Sequence, residues 1–406
     1  MATIEIKNIG PLADTGILSL TPVMLFIGKQ STGKSTLMKI ICFCRWIEKQ
    51  IMVGDENFIS KYTHYNCFLK ELMKFHRLPK EAFSSESYIG YDGDCVTITL
   101  SGNKNVKISP KRNFKTNIYN TKLSFIPAER CLTSAINNID KNYKSSDLDI
   151  LFNYILEWGE AREFFTKDNP LNLVFDKRMH YYHDINAGDV IKLEDKAVTI
   201  ETFYASSGVQ SAMPILAMVG YVCSQIGSSG KKSPMDYVRA ISRILSTSQD
   251  EIDNLSNETL TSVRQLLSYR NMQLYIEEPE QNLFPESQTA LIFDLIKSIK
   301  QAETKTQYPS YLVMTTHSPY VLTTLNQLLA AAKALDVNRD ETLKIIDEEN
   351  ILPHSYYSAY YIDGGKLTDL IDDEIGLIKG EYLDEVSEQT DNVMYELNNI
   401  IYADID

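Results

Sequence analysis

The chain has 406 residues, a formal net charge of −14, six Cys and 44% hydrophobic residues. The apolar fraction excludes wholesale disorder, and the length allows two or three domains. The charge excludes a uniformly basic, nucleic-acid-coating protein but not a local basic groove, because residues 332–406 hold five Lys or Arg and 19 Asp or Glu while the rest carries 35 of each sign.

The opening MATIEIKNIGPL has no cationic stretch followed by an apolar one, so no signal peptide is expected. No run of about 18 apolar residues occurs, so no membrane span is expected either. The six Cys show no CxxC pair and no zinc spacing with His, which predicts reduced thiols in a cytoplasmic protein.

In chain order, residues 2–7 and 16–27 read as short β segments, with Val23–Ile27 an apolar run suited to a buried strand. Gly28–Ser35 is a loop and Thr36–Gln50 a helix. Residues 56–75 read as helical. TITL, VKI and KLSFI, within 87–126, read as β structure broken by Ser101-Gly102-Asn103-Lys104 and Pro110. Ala128–Asn138 and Leu148–Phe165 read as helices, and 189–201 as a β pair. A loop at Ala205–Gly208 opens a helix to about Ile226. A connector at 227–233 leads to a helical insert, 235–268. Leu274–Ile276 and Tyr311–Thr315 read as buried strands, followed by helices at 285–300 and 319–334. A strand at about 356–362 precedes an acidic helical tail, 368–403. No internal repeat or long heptad run is present.

Gly28-Lys29-Gln30-Ser31-Thr32-Gly33-Lys34-Ser35 fits GxxxxGK[ST] between an apolar strand and a helix. Gly torsions let several N–H groups point at one phosphate, and the helix start adds its positive end. Lys34 would neutralise the β- and γ-phosphates, Ser35 would ligate Mg²⁺, and Thr36 closes the nucleotide-binding set. Further on, Met272–Glu280 is a strand ending in acids. Glu277 would hold Mg²⁺, and Glu278 would orient or deprotonate the attacking water. Thr315-Thr316-His317-Ser318-Pro319 follows the next strand and would place His317 beside the γ-phosphate. Ser206-Ser207-Gly208-Val209-Gln210 opens an apolar helix, an anion site by the same dipole logic.

These four elements, in this order, resemble the ABC-type ATPase heads, and most nearly the OLD-like and SMC-like branch of bacterial AAA-family ATPases, including stand-alone members of anti-phage defence operons without a TOPRIM domain. IEIKNIGPL, EEPExxLxP, THSPYVL and Phe125-Ile126-Pro127-Ala128-Glu129-Arg130 carry the resemblance. It implies an α/β P-loop ABC-ATPase head with a RecA-like core, an antiparallel β-lobe and helical insertions. The head would span 1–334, with β-lobe strands at about 87–126 and helical inserts at about 51–80, 131–170 and 235–268. An acidic strand–helix tail would span 335–406. The cofactors implied are ATP and Mg²⁺. The assembly implied is a homodimer or higher oligomer, with Ser207, Gly208 and Gln210 of one chain closing on nucleotide at Gly28–Ser35 of another. No Gln lies between Gln50 and Gln210, so the usual Q-loop glutamine is missing, and Glu129 or Arg130 is the candidate replacement for sensing metal or γ-phosphate. Glu277 stands where transporters have Asp, and Gln281-Asn282-Leu283-Phe284 forms an unusual D-loop.

Three functions are compatible with these residues. The first is an ATP-driven switch for an effector protein from an adjacent gene, in an anti-phage or toxin–antitoxin-like module, with the acidic tail as docking surface. The second is a nucleic-acid-sensing or DNA-repair ATPase, because residues 95–128 hold Lys104, Lys107, Lys111, Arg112, Lys115 and Lys122 and no acid. The third, an OLD-like nuclease, would need a metal cluster such as one around Asp372-Asp373-Glu374.

Overall fold

The computed structural model describes residues 1–53, 57–111, 119–136, 139, 148–195, 198–228, 268–372 and 374–380. The expected insert at 235–268 lies almost wholly outside them, as do the last 26 residues of the tail.

The chain begins with β1 (Thr3–Ile9), β2 (Leu12–Ser19) and β3 (Val23–Ile27), then α1 (Lys34–Val53), α2 (Asn57–Thr63) and α3 (Cys67–His76). It continues through β4 (Phe83–Asp92), β5 (Val96–Ser101), β6 (Asn105–Pro110) and β7 (Asn120–Ile126), then α4 (Leu132–Ala135) and α5 (Ile150–Phe164). Next come β8 (Leu171–Asn172), β9 (Met179–Asp184), β10 (Gly188–Leu193), β11 (Val198–Glu201) and α6 (Ser207–Gln225). The remainder is β12 (Tyr269–Glu277), α7 (Pro285–Thr306), β13 (Tyr311–Thr316), α8 (Pro319–Val337), β14 (Tyr357–Asp363) and β15 (Lys366–Asp369).

One 11-stranded mixed sheet runs β6-β5-β4-β1-β2-β15-β14-β3-β13-β12-β7. Five strands, β14-β3-β13-β12-β7, are parallel, and β6-β5-β4-β1-β2 form an antiparallel lobe. The protein is therefore of the expected class, an α/β fold with a P-loop parallel core and an antiparallel β-lobe. Every residue of β3 is buried, because helices cover both faces of the core. Val23, Leu25 and Ile27 pack with Leu274 and Met314 on Trp158, Met213, Leu295 and Leu325 of α5 to α8. Met24 and Phe26 turn the other way, with Tyr275 and Val313, onto Leu37, Ile41 and Ile47 of α1. The all-apolar run read from the sequence is the physical cause of this placement: a strand with two apolar faces is stable only in the middle.

Four expectations are corrected. KLSFI is not part of the antiparallel lobe; β7 pairs in parallel with β12 at the far edge of the core. The helix expected over 56–75 breaks at Tyr65 and Asn66, which take φ of 53° and 56°. The β pair at 189–201 belongs to a four-stranded sheet, β11-β10-β9-β8, two of whose strands were not expected. The helical tail expected from 368 begins instead as β15, followed by a bridge between Ile371 and Ile378. The strand expected at about 356–362 is present as β14. β14 is hydrogen-bonded in parallel to β3, the strand that leads into the P-loop, and β15 joins it to β2. Buried Tyr357, Ala359 and Ile362 supply the apolar surface that holds this C-terminal hairpin in the core.

None of the six Cys is bonded to another. No helix among the described residues is long and apolar enough to cross a membrane.

The C-terminal hairpin meets the N-terminal one at Gly365, which has φ of 75° and donates its place to backbone: an added Cβ would lie 2.5 Å from Pro11 O and from Ala13 N. Ala13 N and Asp14 N both donate to Gly365 O, at 2.8 and 3.1 Å. Gly365→Ala should therefore lose more stability than Gly16→Ala, where φ is 62° but nothing lies within 4 Å. Urea unfolding should show a loss of about 1 kcal/mol for Gly16→Ala and roughly 2–3 kcal/mol for Gly365→Ala. Equal losses would mean that the hairpin contact contributes nothing.

Candidate active site

The loop 28–35 joins buried β3 to α1. Gly28, Ser31 and Gly33 take φ of 154°, 62° and 107°. A Cβ on Gly28 would stand 2.5 Å from Ile362 O of β14, so the first fixed glycine is also a close-approach position. Lys34 is buried, and its ammonium donates to Gly28 O at 2.8 Å and Lys29 O at 2.7 Å. Thr32 Oγ1 closes the turn on Lys29 O at 2.9 Å. Lys29, Gln30 and Ser31 are exposed at the tip. Burial lowers the Lys34 pKa, opposed by Glu278 and Glu280, so these acids act on the same space as the ammonium.

The acids arrive at the C-terminal end of β12. Glu277 is buried; its Oε2 accepts Ala128 N at 3.2 Å and its Oε1 lies 4.0 Å from Lys39 Nζ. Lys39 stands four residues after Ser35 on α1, so Glu277 faces the side of the helix that Ser35 begins. Glu278 leaves the strand with φ of 44°, a strained value for a residue with a side chain. Its Oε1 is 3.5 Å from His317 Nε2, and its Oε2 accepts Gln281 Nε2 at 3.3 Å. Lys34, Glu277, Glu278 and His317 are thus brought to one sheet edge, as the strand ends predict.

Arg130 holds this edge together. It is fully buried, and its five N–H groups all have acceptors. Nη1 donates to Pro127 O at 3.3 Å and Glu277 O at 2.7 Å. Nη2 donates to Glu278 O at 2.6 Å and Ser211 Oγ at 3.2 Å, and Nε to Ser211 O at 3.0 Å. With every donor used by the protein, Arg130 has none left for a γ-phosphate. Arg130 therefore acts as a scaffold in this structure, while Glu129, the other candidate for sensing metal or γ-phosphate, is exposed.

Ser206 caps α6, accepting Val209 N at 3.5 Å, and Ser207 is exposed. Gly208 packs on the 281–284 segment: an added Cβ would lie 2.9 Å from Asn282 O. Among the described residues no hydrogen bond or ion pair links Ser207 or Gly208 to the loop 28–35. Gln210 Nε2 donates to Thr202 O at 3.1 Å and Phe203 O at 2.9 Å and fixes the turn before α6.

Two cations of the acid-free stretch are neutralised. Lys111 pairs with Asp92 at 2.8 Å, and buried Lys122 with Glu157 at 3.4 Å. Arg112 and Lys115 lie outside the described residues. Asp372 is not at a helix start; its Oδ1 caps a turn, accepting Glu374 N at 2.8 Å and Ile375 N at 3.1 Å. Among the described residues no cluster of three His, Cys, Asp or Glu is placed to hold a metal.

Sequence reasoning missed Ser211, the Ala128 amide, Lys39 and Glu280 as parts of the site. Only Glu280 had a local signal, the third acid of EEPE.

No family model and no curated protein matches this chain. Among solved structures it is similar to the SMC head domain from Thermotoga maritima, at 10% identity and a TM-score of 0.36, over 90% of this chain and 97% of that one. A Pyrococcus furiosus Smc head domain with an extended coiled coil, bound to the C-terminal domain of ScpA, is similar at 10% identity and 0.38, over 96% and 100%. The recombination mediator protein RecF of the RecFOR pathway is similar at 10% identity and 0.34, over 91% and 97%. These are likenesses of overall outline, and the site is read from its own residues.

Replacing Arg130 by Met would remove five hydrogen bonds, including the side-chain donors to Glu277 O and Ser211 Oγ, while Glu278 O and Pro127 O keep backbone donors. Arg130→Met should lose at least about 3 kcal/mol in urea unfolding. A loss under about 1 kcal/mol would contradict the scaffolding role.

Proposed function

We propose that the chain is an ATP-binding and hydrolysing switch of the ABC type, of the OLD-like and SMC-like branch. It closes head to head around ATP and controls a separate effector in a bacterial anti-phage or toxin–antitoxin-like module. The observation that carries the ATPase reading is the buried Lys34 ammonium, resting on its own loop's carbonyls, with Glu278 and His317 across the same sheet edge. A cation held on neutral acceptors is ready to exchange them for phosphate oxygens. Glu278 is the general base, and its strained φ is maintained because Thr315 O accepts its N–H at 2.9 Å and Arg130 holds its carbonyl. His317 stands beside that carboxylate and orients the water Glu278 activates.

The residues present fit Mg²⁺. The Ser35 hydroxyl and the buried Glu277 carboxylate give the one or two protein oxygens that Mg²⁺ takes when phosphates and waters supply the rest. When bound, the ion would neutralise charge on the β- and γ-phosphates.

Closure around ATP is supported by the exposed apolar side chains that flank the α6 start and the 281–284 segment. Tyr204 and Phe284 are both 71% exposed, and Phe203 and Tyr320 are exposed as well. Isolated exposed aromatics are ordinary, but a group around one edge marks an interface. Control of an effector is supported by β14, whose Ile362 carbonyl touches Gly28 of the nucleotide loop. A partner docked on the acidic C-terminal segment would be one hairpin away from the phosphates.

A second reading, a nucleic-acid-sensing ATPase, keeps Lys104 and Lys107. Asn66 Nδ2 donates to Asn103 O at 3.0 Å and brings the Lys104 turn beside a cavity of about 540 Å³ lined by Lys61, His64, Tyr65, Lys70 and the acidic Glu71. Titration with single-stranded DNA or RNA at two salt concentrations decides this, and no binding at low salt removes it.

Lys34→Ala should weaken ATP binding by about tenfold or more in calorimetry, through loss of a charge-assisted contact. Glu278→Gln should bind ATP, turn over about 10²–10⁴-fold more slowly, and accumulate as an ATP-dependent dimer. Phe284→Asp should abolish that dimer without affecting ATP binding by the monomer. A wild-type turnover rate in Glu278→Gln would remove the base assignment, and a dimer that survives Phe284→Asp would remove the interface.

A further inference from the structure

Glu280 has no part in the chemistry proposed so far, yet its carboxylate is mostly enclosed. Its Oε1 accepts the backbone N–H of His317 at 2.8 Å. Its Oε2 is buried. Burial pushes its pKa up, opposed by the N–H groups of His317 and Glu280 and by the Thr316 hydroxyl. A carboxylate kept in such a place at a desolvation cost calls for a reason.

The ends of two parallel strands supply one. The register of β12 and β13 stops at Glu277 opposite Thr315. The last rung of that pair runs from Glu278 N to Thr315 O at 2.9 Å. Beyond it the two chains diverge: Glu278 turns away with φ of 44°, and Gln281 N closes a tight turn on Glu278 O at 3.1 Å. No backbone carbonyl of β12 remains to meet His317 N. The turn through Pro279 carries Glu280 back under the strand end, and its carboxylate takes the position of the missing rung. The bond is charge-assisted, stronger than the neutral amide pair that it replaces.

Among the described residues the His317 imidazole has one ion-pair or hydrogen-bond partner, Glu278, at 3.5 Å, longer than a good hydrogen bond. The backbone at His317 therefore contributes, with the packing around the ring, to where the imidazole sits. On the other side, Ser318 N donates to Thr316 Oγ1 at 3.0 Å and Ser318 Oγ caps α8 through Tyr320 N at 3.1 Å. His317 lies between this cap and Glu280.

We infer that Glu280 is a positioning residue, whose carboxylate substitutes for a strand rung and so aims the His317 imidazole at Glu278. The inference rests on the ATPase reading for its effect on turnover, but not for its effect on His317 itself. It also accounts for the spacing EEPE: the first acid faces α1, the second faces the reacting water, and the third holds the next strand.

The test compares Glu280→Ala with Glu280→Gln in the full chain. Gln keeps a carbonyl oxygen for His317 N, whereas Ala keeps nothing. The first readout is the His317 ring signal by NMR in nucleotide-free protein, assigned by its disappearance in His317→Ala. It should move in Glu280→Ala and stay in Glu280→Gln. The second readout is ATP hydrolysis. Glu280→Ala should lower kcat about ten- to a hundredfold with ATP affinity within about twofold, and Glu280→Gln should restore most of it. In a His317→Ala background, adding Glu280→Ala should cost no further activity. An unmoved ring signal, or a kcat unchanged in Glu280→Ala while Glu278→Gln is inactive, overturns the inference. Fully additive losses with His317→Ala do the same. A wild-type rate in Glu278→Gln strikes the ATPase reading instead, and the ring signal still decides the role of Glu280.

Discussion

A guanidinium buried without a carboxylate partner is stable only if every one of its donors is met. Arg130 satisfies that condition by drawing in three separate segments: the turn after β7, the end of β12 and the first turn of α6. Much of the site follows from this. The turn after β7 also supplies the Ala128 amide that fixes Glu277. The end of β12 carries Glu278, whose unfavourable φ persists because its carbonyl is held. The start of α6 carries Ser207 and Gly208, so the proposed nucleotide-closing segment and the proposed base are tied to one side chain. Two of the five hydrogen bonds go to α6 and two to the end of β12, so a shift of either against Arg130 strains two of them.

The second constraint is the sheet itself. β14 fills the slot beside β3, and β15 completes the passage to the antiparallel lobe. Apolar residues on both faces hold the hairpin there, and glycines at 28 and 365 let its backbone touch the nucleotide loop and the β1–β2 turn. The C-terminal part of the chain is thus no appendage. The acidic excess that dominates the overall charge follows directly from a strand in contact with the P-loop, which gives the proposed effector control a short mechanical path.

What could be read from the sequence was what is local. Gly28–Ser35, the acids 277–278 and His317 are each written within a few residues, and strand–loop–helix patterning placed them on one edge. The buried β3 was legible because a run with no polar face has one stable location. What depended on distant partners was hidden. Arg130 finds Ser211 81 residues away and Glu277 147 residues away, and no spacing rule reaches that far. KLSFI looked like a lobe strand because its neighbours are, but its pairing with β12 is set by burial on both faces. The basic stretch was sequence-true and structurally smaller, since Asp92 and Glu157 neutralise two of its cations. The tail was read as helix from its composition, where pairing to β14 decides otherwise at Lys366–Asp369.

The proposed switch requires Lys34 to exchange its own loop's carbonyls for phosphate oxygens while the Arg130 scaffold stays fixed. A crystal structure with Mg²⁺ and a non-hydrolysable ATP analogue tests this most directly. The expected result is the Lys34 ammonium displaced from Gly28 O and Lys29 O onto the phosphates, with all five Arg130 hydrogen bonds retained. An analogue bound away from residues 28–35, or Lys34 still seated on its carbonyls beside bound nucleotide, would contradict it.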